Sequence, residues 1–307
     1  YPPLNQLCFA VAALFANKSI LGSIVVMRLL IILADIGVLF YGKKLLDALN
    51  LNPKLIFLYL LNPLIIIELT GNLHFEGIMI FFLVWSLYLL QLQKWKLAAI
   101  SIAYSISLKL LPLLFLPLFF QQFKFKKLLV FYATVGVTCL IFFVPFVSEN
   151  LLTNYSKTIG LWFGTFEFNG GIYLLIREIG YLTNGYNIIG VLGKVTPVLV
   201  FIFVVLISIF RKNVTTKQLI TALLFALSFY LFIASTIHPW YVAMLLLLSI
   251  FTIYSDDLIN RDGILYIETA EAFIQGGLTN TIKFYNWPFF SICIAYIHQL
   301  TQAPLEL

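Results

Sequence analysis

The stretch Thr70-Gly-Asn-Leu-His-Phe-Glu-Gly77 leads directly into the apolar segment Ile78–Leu90. It carries an amide, an imidazole and a carboxylate, on Asn72, His74 and Glu76. Polar side chains at the edge of a membrane segment are costly to bury, so they normally face a cavity or a partner. This stretch therefore predicts a polytopic membrane protein with a site embedded at one membrane face.

The composition of the whole chain supports this interpretation. Of its 307 residues, 62% are hydrophobic and 10% are charged, whereas a soluble domain carries about 25% charged residues. The mean hydropathy is +1.00. A pI near 9.1 would also suit a nucleic-acid-binding protein. Because the basic residues flank hydrophobic segments in short runs, the positive-inside rule explains them better and we expect no nucleic-acid partner.

Apolar segments of about 20 residues, the length that crosses a bilayer, recur along the chain. They predict an all-α, polytopic transmembrane helical bundle with an external loop subdomain over Ser148–Asn187, and membrane lipids as its surroundings. The segment Leu4–Phe15 is short for a span and predicts an inclined helix. The predicted spans are Ile20–Phe40, Leu55–Leu69 (broken at Asn62-Pro63), Phe81–Leu92, Leu128–Val147, Ile188–Phe210, Leu219–Ile237 and Val242–Tyr254.

The segment Leu97–Phe120 is long enough to span once, but Lys109 and Pro112 lie near its centre. A single crossing would place the lysines that follow it on the wrong side of the membrane. We therefore predict two half-helices that form a re-entrant hairpin. Most of the 19 basic residues then share the cytoplasmic side, and Glu76, Trp162 and His238 share the external side.

The last part of the chain differs from the rest. Ser255–Leu307 is richer in charge and predicts an amphipathic helix over Ile264–Ile274. We therefore predict a membrane bundle over residues 1–254 and an external-loop-like segment over 255–307. The three cysteines lack metal-ligand spacing, so neither a disulfide nor a zinc framework is expected. Because the chain opens on Tyr-Pro-Pro without an initiator Met, we expect its natural beginning to lie upstream.

Five motifs follow one another in an order that is known from one group of membrane enzymes. They are Tyr1-Pro-Pro-Leu4, Glu68-Leu-Thr-Gly-Asn-Leu-His-Phe-Glu-Gly77, Ser107-Leu-Lys-Leu-Leu-Pro112, Phe168-Asn-Gly-Gly-Ile-Tyr173 with Arg177, and His238-Pro-Trp-Tyr241. Together they resemble the GT-C superfamily, and within it bacterial mannosyltransferase-like members. The resemblance implies a hexosyltransferase of the plasma (inner) membrane that inverts the sugar. It also implies a polyprenyl-phosphate donor of a hexose such as mannose, and a hydroxyl acceptor on a lipid or glycan.

The chain departs from this family in one respect. The family's catalytic Asp precedes the Tyr-Pro-Pro element, and this chain starts after that point. The tail segments Ile259-Asn-Arg-Asp-Gly-Ile-Leu-Tyr266, Gln275-Gly-Gly277 and Asn286-Trp-Pro-Phe289 resemble the first external loop of an aminoarabinose-transferase-like member. In that case Asp262 would be a general base, and the chain would resemble a composite of two proteins.

The implied reaction needs a carboxylate that takes the proton of the acceptor and cationic groups that hold the leaving phosphate. Within the bundle, Glu76 and His74 are the candidates for acid–base and sugar-binding roles. The alternative for this motif is an interfacial cap, in which the Asn72 side chain caps the following span. We expect no metal and no cofactor, because no acidic cluster typical of a metal site is present.

Donor-binding roles are predicted for Lys109, His238, Arg177, Asn72 and Tyr241. Each prediction has a structural alternative. Lys109 could reach the interface instead of a phosphate, and Tyr241, like Trp240, could be an interfacial anchor. Arg177 could pair with Glu178 or Glu167.

Arg28 and Asp35 lie on one face of a predicted span, where structural roles are expected, with Arg28 as a minor donor-site candidate. Two other functions stay open. A secondary transporter or lipid-sugar flippase would suit Lys109 and the broken hairpin, since transporters place substrates at discontinuous helices. An inactive composite fragment would keep the fold without activity.

Overall fold

The computed structural model describes residues 2–16, 18–164 and 166–252. The structure separates Tyr1–Thr252 from Ile253–Leu307, and every described residue belongs to the first unit. The predicted division at residues 254 and 255 and the predicted role of Asp262 lie outside the described residues and stay predictions.

The described residues are helical, as the sequence predicts. The α-helices are α1 Pro3–Phe15, α2 Ile20–Ala48, α3 Ile56–Leu60, α4 Pro63–Ile65, α5 Glu76–Gln91, α6 Trp95–Leu108, α7 Phe125–Phe143, α8 Leu151–Gly164, α9 Gly171–Asn184, α10 Ile189–Phe210, α11 Thr216–Ile233 and α12 Val242–Ile250. A π-helical turn covers Ile66–Gly71, and 3-10 helices cover Pro53–Leu55, Leu111–Gln122, Val144–Phe146 and Pro239–Tyr241. The described ranges contain no strand, only isolated bridges from Phe168 and Asn169 to Thr236. The all-α prediction is confirmed.

By length and composition, four helical segments in these ranges can cross a membrane: α2, Phe125–Phe146, α10 and α11. The pair Pro53–Leu60 and Pro63–Gly71, bent by 54°, adds a fifth if it forms one broken span. The break lies at Asn62-Pro63, as predicted. The Asn62 side chain accepts a hydrogen bond from the Leu64 amide there, and the proline begins the next helix. The protein is therefore a multi-pass helical membrane protein.

Helices α5 and α6 form an antiparallel pair in the core, although each is shorter than the long spans. Three serines connect them, because Ser86 donates to the Ala98 carbonyl, Ser101 to the Phe82 carbonyl and Ser105 to the Met79 carbonyl, each at 2.8 Å. Small side chains and serine hydroxyls let membrane helices approach closely while keeping polar groups hydrogen-bonded. This pairing fixes the start of α5 beside the end of α6.

The predicted hairpin over Leu97–Phe120 also has two arms. Helix α6 ends at Leu108, Lys109 is extended (φ −147°, ψ 139°), and the second arm is the 3-10 helix Leu111–Gln122. Pro112 and Pro117 lie in this arm and lack the amide hydrogens that an α-helix would need. At the far ends of the two arms, the rings of Trp95 and Phe123 have centroids 6.2 Å apart. Both arms therefore start and finish at the same end of the bundle.

That end also holds several basic side chains, and we call it the basic end. The Lys127 ammonium lies 5.1 Å from the Trp95 ring centroid, and Gln121 donates to the Arg211 carbonyl at 2.9 Å. The opposite end, where Thr70–Gly77 lies, is called the motif end. Basic residues collected at one end are what the positive-inside rule requires of a cytoplasmic face.

Candidate functional site

An ion pair lies at the motif end where α5 begins and α6 stops. The Lys109 Nζ atom is 2.8 Å from Glu76 Oε1, and the two side chains are 19% and 4% exposed. The second oxygen, Glu76 Oε2, is buried and has no hydrogen-bond partner among the described residues. Glu76 also occupies the first turn of α5, where the helix dipole favours a negative charge. The carboxylate is thus held in place by Lys109, while one of its oxygens has no partner among the described residues.

A cavity of about 610 Å³ opens beside this pair. Its polar lining residues are Glu76, Lys109, Thr196, Tyr230 and Tyr241. The rest of the lining is apolar and consists of Met79, Leu110, Leu111, Leu113, Leu114, Pro117, Pro197, Val200, Phe201 and Val204. Such a cavity suits a ligand with an apolar chain and a charged or polar head.

The segment that carries His74 and Glu76 is fastened to α2. Arg28 donates from Nε to the Thr70 carbonyl and from Nη2 to the Gly71 carbonyl, both at 3.1 Å, and the Thr70 hydroxyl donates to Asp35 Oδ2 at 3.1 Å. The guanidinium thereby satisfies carbonyl groups at the end of the π-helical turn, where the partial charge is negative. Arg28 and Asp35 both bind the Thr70 region, which supports the structural roles predicted for them.

The turn that follows is strained. Leu73 has φ +61°, a left-handed conformation that is uncommon for a branched, bulky residue. It reverses the chain so that the His74 amide donates to the Leu69 carbonyl at 3.0 Å and α5 starts immediately afterwards. Strain of this kind collects at functional sites because the surrounding contacts enforce it.

An aromatic column joins three distant segments at the motif end. The ring of Trp240 stacks on His74 at 3.6 Å between centroids and on His238 at 4.3 Å, with interplanar angles of 21° and 6°. His238 in turn stacks on Phe168 at 4.7 Å. The edge of Tyr241 meets His238 at 5.4 Å. Both faces of Trp240 are therefore covered by imidazole rings.

Burial favours the neutral form of both imidazoles. Burial is the main cause that lowers the pKa of His74 and of His238 below the usual 6.5. The Lys109 ammonium also lowers both pKa values, whereas the Glu76 carboxylate raises them. Each imidazole therefore lies within electrostatic reach of the ion pair. Within residues 2–16, 18–164 and 166–252, no hydrogen bond occupies a ring nitrogen of either histidine.

Arg177 lies in a separate carboxylate cluster. Its Nη1 atom is 2.9 Å from Glu167 Oε1 and its Nη2 atom is 2.8 Å from Glu178 Oε1. Glu167 also accepts hydrogen bonds from Tyr173 and Asn187. The Tyr173 hydroxyl is the first cause that holds the pKa of Glu167 below its usual value, and Arg177 adds to it. The structure therefore shows Arg177 paired with both carboxylates named as its alternatives.

The predicted site residues thus fall into groups. Glu76, Lys109 and Tyr241 line the cavity, and His74 and His238 cover Trp240 beside it. Two residues belong to neither group. Arg177 lies in its own cluster, and Asn72 is exposed and donates to Glu68 Oε2 at 3.3 Å.

The alternative in which Asn72 caps the next span is wrong, because α5 begins after Phe75 without a side-chain cap. No pattern in the sequence indicates that Trp240 lies between two histidines. The only signal was that each histidine stands in a motif at the same predicted membrane face.

The comparisons with known proteins bear on the first part of the chain. The chain matches the family model described as "Alpha-(1->6)-mannopyranosyltransferase, N-terminal domain", and the match covers residues 1–123. A comparison with curated proteins returned no match. The motifs around Phe168 and His238 and the tail resemblance lie outside the matched region. Residues 1–123, which hold both members of the ion pair, are thus similar to the N-terminal domain of alpha-(1->6)-mannopyranosyltransferases, and this supports a membrane glycosyltransferase.

Proposed function

We propose that the protein moves a hexose, mannose by the family match, from a polyprenyl-phosphate donor to a hydroxyl group of a lipid or glycan, with inversion, at the plasma membrane. One observation carries this proposal: the Glu76–Lys109 ion pair stands at the polar side of a largely apolar cavity. A lipid-borne sugar phosphate has the matching order of parts, an apolar chain followed by a charged group and then a sugar.

Lys109 is proposed to hold the phosphate. The Lys109 side chain is only 19% exposed, so its charge is largely removed from water and calls for anionic partners. Lys109 lines the cavity, and its Nζ atom contacts Glu76. As the bond between the sugar and the phosphate breaks, negative charge grows on the leaving phosphate oxygen, and a fixed ammonium stabilises that charge.

Glu76 is proposed as the general base. The acceptor hydroxyl forms a bond to C1 of the sugar from the face opposite the phosphate, and its proton passes to Glu76 Oε2. The C1–oxygen bond breaks with its electron pair on the polyprenyl phosphate, so the anomeric carbon is inverted. Glu76 suits this role because it lines the cavity and its Oε2 atom has no partner among the described residues.

The remaining predicted residues receive supporting roles in the proposal. His74, His238 and Tyr241 are proposed to contact sugar hydroxyls beside the ion pair. Arg177 and Asn72 are proposed to hold their own segments, since their side chains pair with Glu167, Glu178 and Glu68. Asp262 stays a candidate for the same general-base role as Glu76.

The test is sugar transfer by the full chain in liposomes, with radiolabelled polyprenyl-phosphate mannose and a panel of lipid and glycan acceptors. Glu76→Gln should lower kcat by a hundredfold or more, because a positioned general base contributes about 10²–10⁴. Glu68→Gln is the matched control, since Glu68 is outside the cavity lining and should keep its activity. Label that crosses the bilayer without joining an acceptor would contradict the proposal in favour of transport.

Asp262→Asn distinguishes the two carboxylates. If Asp262→Asn abolishes transfer while Glu76→Gln keeps it, the general base is Asp262 and the role given to Glu76 is wrong. If neither change affects transfer, the site itself is misplaced.

A further inference from the structure

Trp240 sits in the second position after His238 in a motif whose aromatic residues suggest either a sugar-stacking surface or an interfacial anchor. Its contacts do not fit the first of these roles. A sugar ring that stacks on indole needs one open aromatic face, and His74 and His238 cover both faces, at 3.6 and 4.3 Å between centroids. Phe168 then covers the outer face of His238 at 4.7 Å.

The two histidines differ from Trp240 in what they leave open. Their ring faces are used in the stack, but their nitrogens lie at the ring edges and carry no hydrogen bond among the described residues. A neutral imidazole offers one donor and one acceptor. This matches a sugar hydroxyl, which also donates one hydrogen bond and accepts others.

We propose that Trp240 is a positioning residue, a flat spacer that holds the imidazoles of His74 and His238 parallel so that their edges present hydrogen-bonding nitrogens to the hydroxyl groups of a hexose. The proposal rests on the proposed function for the identity of the ligand. The role of Trp240 as a spacer rests on the stacking geometry alone.

Three kinds of packing fix this arrangement. His74 is carried by the strained turn before α5, and Trp240 lies in the 3-10 helix Pro239–Tyr241. The loop with Phe168 is joined to the segment before His238, because the Phe168 amide donates to the Ser235 carbonyl at 2.9 Å and the Ile237 amide donates to the Phe168 carbonyl at 2.7 Å. Rings supported from both sides in this way lose little freedom when a ligand binds.

The first test needs no substrate. The chain has three histidines, so histidine labelled with 13C and 15N gives few imidazole signals, which His74→Gln, His238→Gln and His298→Gln assign. The signals of His74 and His238 should both lie upfield of free histidine because of the indole ring current. Trp240→Leu should reduce both shifts, leaving for His238 the part that the Phe168 ring causes, whereas Trp95→Phe at the basic end should leave them unchanged. If Trp240→Leu changes one shift or neither, the spacer role is wrong.

The second test uses transfer kinetics. Trp240→Leu should lower kcat about tenfold to a hundredfold, because small displacements of binding groups have effects of this size. Trp240→Phe keeps a flat ring and should recover most of that loss. If Trp240→Leu instead raises KM for the sugar donor and leaves kcat unchanged, Trp240 is itself a sugar-stacking surface and the proposal is overturned. If the unaltered protein transfers no sugar, the proposed function fails and the imidazole signals alone decide the spacer role.

Discussion

Lys109 and Glu76 lie at adjoining ends of two antiparallel core helices and place opposite charges 2.8 Å apart. Each charge offsets most of the free-energy cost of burying the other. Removal of one partner would therefore leave an uncompensated buried charge. Removal of one partner should therefore affect the stability of the fold as well as any catalytic role, and the two effects can be separated.

Lys109→Met should destabilise the protein by about 3 kcal/mol, because Glu76 would keep a buried charge without its partner. The double variant Lys109→Met/Glu76→Gln should recover most of that loss, while sugar transfer stays absent in both. Thermal unfolding in detergent measures the stability. A double variant as unstable as the single one would show that the pair does not act as a charge couple.

The width of the cavity gives a second prediction. Val200 is buried on the cavity lining of α10, whereas Val198 on the same helix is 55% exposed and does not line the cavity. Val200→Trp should raise KM for the polyprenyl-phosphate donor about tenfold, or about 1.4 kcal/mol, because the indole takes space that the lipid chain requires. Val198→Trp should leave KM unchanged. Equal effects of the two variants would place the lipid elsewhere.

A third prediction concerns the contact between two loops at the motif end. A Cβ atom on Gly170 would lie 2.8 Å from the Ala234 carbonyl oxygen and 2.9 Å from that of Ser235. Because these are backbone atoms, Gly170→Ala should force the loops apart and cost about 1–3 kcal/mol. Gly171→Ala is the matched control, since its nearest contact is 3.4 Å away.

The measurement for Gly170→Ala is the imidazole spectrum together with the unfolding temperature. Because the displaced loop moves the Phe168 ring away from His238, the chemical shift of the His238 imidazole should change. The His74 signal should stay near its original position. An unchanged His238 signal would mean that the loop contact does not hold Phe168 in place.

Stability should also depend on pH through the two histidines of the column. Their pKa values are lowered below 6.5 in the folded protein, so the unfolded chain binds more protons between the two values. This contribution is complete above pH 6.5 and is lost as the pH falls through the folded pKa. The unfolding temperature should therefore decrease on acidification, and less steeply in a His74→Gln/His238→Gln variant. Identical slopes would exclude these histidines as the cause.

Local chemistry made several parts of this fold predictable. Asn62-Pro63 predicts the break between α3 and α4, and Lys109 with Pro112 predicts the break between the arms of the hairpin. These signals act over a few residues, where proline and polar side chains limit the backbone directly. That the second arm would be a long 3-10 helix was not evident, since both helix types show similar apolar patterns.

Contacts between distant segments were much harder to foresee. Lys109 was expected to need an anionic partner, but only the register of α5 against α6 shows that Glu76 is one. In the same way, Arg28 and Asp35 were placed on one face of a span, and their common target, Thr70, appears only in the folded structure. The Trp240 stack joins two loops to a 3-10 helix, and no periodic pattern in the sequence predicts such a contact.

The side chain of Gln121 has a consequence for how a substrate could arrive. Its amide donates to the carbonyls of Ser208, Ile209 and Arg211, and Ser208 donates to the Pro117 carbonyl. These bonds join the last residues of α10 to the 3-10 helix Leu111–Gln122. They lie just beyond Pro117 and Val204, which are the last lining residues of the cavity towards the basic end. These bonds bound the cavity at the basic end, so under the proposed function we expect a long lipid tail to enter laterally from the surrounding bilayer, between the two helices.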